Sequence, residues 1–268
     1  MVAVGACYCF AMDLAFPHGL AASVAAPFVG SFLGLVAARH GTGRTILTGR
    51  SACDSCGRTL AIRDLVPLAS WIALRGRCRH CGARIDPIQP AIEAGALIAA
   101  LAAAATLPGA LVWVGCGLAW WLIAIAAIDW RHLEIPDRLS LPLAIAGLAV
   151  SAIGGREMAI DSAIGAVAGF AAFAAIAWGY RRLRGRTGLG EGDARLMAAA
   201  GAWVGWQGLA AVALYGAGTA LVWALVQGAV RRRLDAEAPV PFGPFLGLGI
   251  WIAWMWGAPL GVPPWTHL

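Results

Sequence analysis

Lysine is absent from this chain, and charged residues of every kind make up only 13% of its 268 positions. A soluble domain carries about 25% charged residues and about 45–50% apolar ones. Here the hydrophobic fraction is 60% and the mean hydropathy +0.74. So little charge excludes a soluble globule, and so much apolar content excludes a disordered or collagen-like chain. Cysteine numbers seven, too few and too unevenly placed for a secreted disulfide scaffold. Met1–Met12 lacks the basic residues that open a secretory signal, and the apolar run after it is of full length. The first helix is therefore expected to be retained. What remains is a chain built for a lipid bilayer, with little left over for domains in water.

Stretches free of Asp, Glu and Arg mark the spans, because a charge at the bilayer centre costs about 2.5–3.5 kcal/mol on insertion scales. Leu14–Ala38 is the first. Ala94–Ile128 is broken by Leu107-Pro108-Gly109 and reads as two helices. Leu139–Gly155 and Ser162–Tyr180 supply two more. Leu196–Val230, broken near Trp206-Gln207-Gly208, gives another pair, and Pro241–Leu268 the last. The expectation is an all-α polytopic membrane protein of about eight helices.

The arginines orient it. The loops after the first, third, fifth and seventh helices hold nine, two, five and three of them, and the opposite side holds only Arg156. Under the positive-inside rule the 39–86 loop, Asp129–Arg138, Arg181–Arg195 and Arg231–Pro239 face the cytoplasm, and both termini face outward. Arg181-Arg182 and Arg231-Arg232-Arg233 abut spans, so they read as topology anchors and not as a nucleic-acid patch.

The 39–86 loop is the one sizeable polar piece. It contains Cys53-Asp54-Ser55-Cys56 and, after 21 intervening residues, Cys78-Arg79-His80-Cys81. A module this small cannot order itself on apolar burial alone. Two Cys-x-x-Cys knuckles suit tetrahedral thiolate coordination of zinc, and a glycine after each pair (Gly57, Gly82) permits the turn that points N–H groups at sulfur. Disulfides are the alternative, but a cytoplasmic loop is kept reduced. Four thiolates leave no open position, so Cys53, Cys56, Cys78 and Cys81 are expected to hold a structural Zn2+. Cys7, Cys9 and Cys116 sit among apolar neighbours and read as small hydrophobes.

Acids bordering the spans are few. Asp129 closes one helix in Ala126-Ala127-Ile128-Asp129, and Asp193 opens another in Gly188-Leu189-Gly190-Glu191-Gly192-Asp193. Each has a plain reading, as an interfacial acid or an N-cap. Asp137 and Asp161 fit helix starts, and His132 and Glu134 fit the interface. What distinguishes Asp193 is its alternating glycines, which let another chain pass close to the backbone. Two converging carboxylates cannot both ionise; one then keeps a proton while the other activates water, as in aspartic proteolysis.

These residues resemble the type IV prepilin peptidases, bifunctional leader peptidases and N-methyltransferases of the GxGD aspartic protease class. The likeness covers Gly30-Ser31-Phe32-Leu33 and both cysteine knuckles, with Leu74-Arg75-Gly76-Arg77 between them. It continues through Asp129 with Glu134-Ile135-Pro136-Asp137, then Gly190-Glu191-Gly192-Asp193, and finally Pro241-Phe242-Gly243-Pro244-Phe245. The resemblance implies that Asp129 and Asp193 are the catalytic pair. It also implies prepilin or pseudopilin substrates with a basic leader, cleavage at the cytoplasmic face of a bacterial inner membrane, and methylation of the new amino terminus by S-adenosylmethionine. No Gly-x-Gly-x-x-Gly fingerprint marks a site for that donor; Glu93 is one candidate, with a helix-start acid facing the dipole as its alternative. The chain departs from the family pattern in three places: Gly34 stands for Asn, Gln89-Pro90-Ala91-Ile92-Glu93 for a Tyr-Pro-Leu-Val-Glu-like entry to the second helix, and Arg195 for Lys. The domains expected are the first span (1–38), a four-cysteine domain (39–90) and a membrane peptidase domain (91–268). Competing readings are a non-catalytic zinc-loop scaffold of a pilus or secretion assembly, a peptidase without methyl transfer, and a transporter using the two acids as a proton relay.

Overall fold

The computed structural model describes residues 2–42, 50–185, 190–231, 240–257 and 263–268, with side chains from Pro17 onward. Its helices are α1 (Val2–Arg39), α2 (Ala69–Ala73), α3 (Ile88–Thr106), α4 (Leu111–His132), α5 (Asp137–Ile153), α6 (Arg156–Arg184), α7 (Glu191–Arg231) and α8 (Gly243–Trp256). Among the described residues there is no β-strand, only two isolated bridges in the cysteine loop. Among the described residues five helices are long and apolar enough to cross a membrane: the Pro17–Arg39 part of α1, α3, α4, α6 and α7. The chain divides into two compact units, residues 1–127 and 128–268.

In the first unit α1 and α3 run antiparallel on small residues. A methyl group added at Gly19 would fall 2.8 Å from the Ala104 side chain, and one at Gly30 would fall 2.7 Å from Glu93 Cα. Ala22 and Ala26 on α1, and Ala96, Ala99, Ala100 and Ala103 on α3, are buried in this seam. Without a hydrophobic drive between helices in lipid, such small residues let backbones approach and gain dispersion contact. The other face of α1 exposes Leu20, Val24, Phe28 and Phe32 in an i, i+4 row, which suits hydrocarbon and not water. Cys116 is buried and free, as expected of a small hydrophobe. Cys7 and Cys9 lie outside the described side chains.

In the second unit α7 is two arms. Gly205 (φ 70°, ψ 176°) interrupts it in a conformation essentially restricted to glycine. The chain then returns: Gly169 on α6 faces both Met197 from the first arm and Leu209 from the second. The sequence predicts this break one to three residues later. With the arms counted separately, eight long helical segments stand among the described residues, in the predicted order. Gly165 and Gly201 meet backbone to backbone between α6 and α7, and Gly216 and Gly249 do so between α7 and α8. Buried hydroxyls complete the seams, with Ser162 donating to Ser151 (2.7 Å) and Ser151 to the carbonyls of Gly147 and Ala202. Asp161 is not a helix start, since α6 begins at Arg156. Its carboxylate instead accepts from Trp206 Nε1 (3.2 Å) and Gln207 Nε2 (3.0 Å), fastening the α7 reversal to α6.

Candidate active site

The second unit brings the end of α4 and the beginnings of α5, α7 and α8 together around two buried carboxylates. Asp129 lies one turn before the end of α4 and is buried. The first amides of a helix lack intrahelical acceptors. Asp129 Oδ2 supplies one to α8, accepting the Gly243 N–H at 2.8 Å from 114 residues away. A carboxylate at a helix N-terminus is also favoured by the helix dipole. Glycine is required there: a methyl at position 243 would sit 2.7 Å from Asp129 Oδ2 and 3.1 Å from its Cγ.

Asp193 is the third residue of α7, not its N-cap, and is buried. Its Oδ2 reaches back to accept the Gly190 N–H at 2.9 Å, the acidic half of a capping box. The preceding Gly192 lets the loop close on α5's leading segment, since a methyl there would meet Ile135 Cβ at 2.8 Å. Arg195 Nη1 then binds Asp137 Oδ1 at 2.6 Å and Nη2 reaches Glu191 at 3.6 Å. Asp137 does open α5, as predicted, but it also ties α5 to α7. Gly188 lies outside the described residues.

Residues 64 positions apart are therefore brought to one end of one unit, where the carboxylates lie within electrostatic reach of each other. One oxygen of each is held by a glycine amide. Among the described residues neither carboxylate takes a further hydrogen bond, which leaves an oxygen of each for a water molecule. The residue after Asp129 begins an aromatic chain, Trp130–Trp223–Phe245, with ring centroids 5.7 Å apart at both steps. Leu133, just past α4, holds φ 53°. A left-handed residue that is not glycine is strained, and such strain clusters at functional sites.

The cysteine module belongs to the first unit. Each knuckle is a tight loop: Gly57 N–H donates to the Cys53 carbonyl (2.8 Å) and Gly82 N–H to that of Cys78 (3.0 Å). Both glycines have φ near +70°. The four Sγ atoms lie within 4.8 Å of one another, with Cys53 and Cys81 3.8 Å apart, and none is disulfide-bonded. Tetrahedral Zn–S bonds of about 2.3 Å place sulfurs about 3.8 Å apart. The amides of Cys81 and His80 hold the Cys78 thiol down to about 7. Cys81, although favoured by the Ala83 amide, is pushed up to about 11 by desolvation and its neighbouring sulfurs. Four sulfurs this close call for a cation between them, and the donor set fits a divalent, thiolate-loving metal.

Glu93 is neither exposed nor free. It is 5% exposed on α3, accepts the Leu68 N–H at 2.8 Å and takes the Gln89 side-chain amide at 3.2 Å. Gln89 also donates to the Ser31 carbonyl of α1 (3.3 Å). A methyl at Gly34 would overlap the Gln89 side chain. Two of the departures from the family pattern, Gly34 and Gln89, are therefore neighbours, the missing side chain at one making room for the amide of the other.

Sequence comparison adds to this geometry. Residues 24–107 match the bacterial peptidase A24 N-terminal domain, and residues 116–225 match the type IV leader peptidase family. The chain is 38% identical over 215 residues to the prepilin leader peptidase/N-methyltransferase of Aeromonas hydrophila, covering 79% of this chain and 73% of that one. It is 43% identical over 201 residues to a Burkholderia pseudomallei protein of the same name, covering 75% and 65%. A third such protein, from Stutzerimonas stutzeri, is 34% identical over 237 residues, 84% of this chain and 78% of that one. No solved structure matches the chain.

Proposed function

Because this chain belongs to the type IV leader peptidase family, we propose that it is an aspartic endopeptidase of the bacterial inner membrane. It removes the basic leader from prepilin or pseudopilin precursors at the cytoplasmic face and then methylates the new amino terminus. The observation that carries this reading is the pair Asp129 and Asp193, each steadied by a glycine amide at one end of the second unit.

In the proposed reaction the ionised carboxylate takes a proton from a bound water, whose oxygen attacks the scissile carbonyl carbon. The protonated carboxylate gives its proton to the carbonyl oxygen. Collapse of the resulting diol breaks the C–N bond, and a proton passes to the leaving amine. The roles can exchange between the two acids because their backbone tethers are alike. The arginine asymmetry supports a cytoplasmic position, with scissile bond and acids at the same face.

Cys53, Cys56, Cys78 and Cys81 would hold Zn2+ as a closed structural site, cross-linking a module too small to stand alone. S-adenosylmethionine would supply the methyl group; that half of the proposal is carried by the relatives' names, and we assign no residue to the donor. We take the first span as 1–38, the four-cysteine domain as 39–90 and the peptidase domain as 91–268.

The test is cleavage of a prepilin-like substrate by purified protein, wild type against Asp193→Asn, with product masses recorded. Cleavage lost only in the variant supports the aspartic mechanism, and a product one methyl group heavier with S-adenosylmethionine supports the second activity. Equal cleavage by both would refute the dyad. No cleavage by either, from properly inserted protein, would favour the scaffold reading.

A further inference from the structure

The cysteine module carries a feature that zinc binding does not use. Leu68 adopts φ 59°, ψ −52°, and the Ala69 N–H donates to the Pro67 carbonyl at 2.6 Å. This is a classical γ-turn, a rare and strained conformation for a residue other than glycine. The turn is pinned from below, its Leu68 N–H bonded to the buried Glu93 carboxylate on α3. Among the described residues Glu93 has no ion-pair partner, so its hydrogen bonds to Leu68 and Gln89 are what offset its burial.

The depth of that bond matters. Glu93 stands five residues into α3, about 7.5 Å along the axis at 1.5 Å per residue. The 19 residues of α3 rise only about 28 Å, against about 30 Å of hydrocarbon, so no slack exists to lift Glu93 into water. The partner helix agrees: Gly30 faces Glu93, and Arg39, the next charge on α1, follows nine residues later, about 13.5 Å further along. The Leu68 turn is thus held inside the apolar layer or at its edge.

The residues around the turn match that depth. Ile62 (82% exposed), Leu65, Val66 and Ile72 (67%) leave their side chains uncovered within eleven positions. Such a cluster is costly in water. Arg63 and Arg75 are exposed among them, and arginine at this depth reaches back to lipid phosphates while its stem stays in the apolar layer.

We propose that the Ile62–Arg75 stretch is a membrane-interfacial wedge, seated among the headgroups and upper acyl chains of anionic lipid and locked at that depth by the Glu93–Leu68 bond. Continuity with α3 through this bond, and the exposed Arg63 and Arg75 near the two ends of the apolar cluster, favour lipid over a second copy of the chain or the substrate. The proposal rests on the membrane reading of α1 and α3 and not on the peptidase chemistry, so it is tested without cleavage.

The experiment uses the full chain in vesicles of phosphatidylethanolamine and phosphatidylglycerol, the latter carrying a diazirine either near the acyl carbonyl or at the chain end. After irradiation, adducts are mapped by mass spectrometry, with Leu20–Phe28 of α1 as the internal standard. The expected result is labelling of 62–75 by the carbonyl-proximal probe at a level within about threefold of α1, and at least fivefold less by the chain-end probe. Ile62→Asp with Ile72→Asp should reduce that labelling at least fivefold and leave α1 unchanged. Glu93→Ala should also reduce it, whereas Glu93→Gln, which keeps an acceptor for the Leu68 amide, should not. An unlabelled 62–75 peptide beside a labelled α1 overturns the wedge. So does photo-cross-linking of that peptide to a second copy or to an added prepilin-like peptide in place of lipid.

Discussion

Gly243→Ala is the sharpest probe of the proposed site because it leaves both acids in the sequence and perturbs only what holds one of them. The added methyl would sit 2.7 Å from Asp129 Oδ2, 3.1 Å from Cγ and 3.2 Å from Cβ. Rotation about χ2 relieves only the first contact, so the α8 N-terminus and the end of α4 must separate or the Asp129 side chain must turn. Either response lengthens the 2.8 Å bond from the Gly243 amide. A hydrogen bond to an ionised acceptor contributes about 1.5–3 kcal/mol. Lost in the reacting state, that is about 10- to 150-fold in kcat at about 1.4 kcal/mol per decade. A displacement of about 1 Å would by itself cost on the order of 100-fold. The assay is leader cleavage by detergent-purified protein, with kcat and KM separated and folded protein quantified. Gly218→Ala is the control, since a methyl there meets nothing within 4 Å. A Gly243→Ala protein that cleaves at the wild-type kcat would refute the role given to this contact.

Asp129→Asn and Asp193→Asn should each abolish cleavage with the protein still inserted, as read by product mass and membrane fractionation. Asp193→Ala should in addition lose about 0.5–2 kcal/mol of stability relative to Asn, because Gly190 loses its acceptor; a thermal melt in detergent separates the two. Cys53→Ser combined with Cys78→Ser should release the metal and render residues 50–87 protease-sensitive, measured by metal content and limited proteolysis. Full metal content in that protein would sink the zinc assignment. Gly201→Ala, facing the Gly165 backbone, should cost about 1–3 kcal/mol by forcing α6 from α7, again seen in the melting temperature.

The spans were legible because charge is so costly in hydrocarbon that its absence alone draws their limits. Gly205 shows the resolution of that signal: Trp206-Gln207-Gly208 looks like the break, yet the residue that turns the chain is the glycine before it. The knuckles were legible because metal ligands repeat at short spacing. Asp193 was nominated by its glycines and its pairing with Asp129 by the family resemblance, but what holds each acid was not legible. Gly243 lies 114 residues from Asp129, and no local pattern reports a contact that long. Glu93 was misleading for a different reason. An acid near a helix start has a standard local explanation, and only the fold shows that its partner is a strained turn in another element. Asp161 follows the same pattern, reading as a helix start while fastening the α7 reversal.

One consequence of the Gly243 and Gly190 contacts concerns how such a site can decay. The groups proposed to react are also the fasteners of two helix beginnings, so chemistry and assembly depend on the same oxygen atoms. A lineage that lost the need for cleavage would not be free to discard these acids, because an apolar replacement would loosen α8 or the leading arm of α7. Asparagine, which keeps an acceptor and abandons the reaction, is the exit that costs the architecture least. A relative with Asn at either position would then be a retired enzyme whose framework is still under selection.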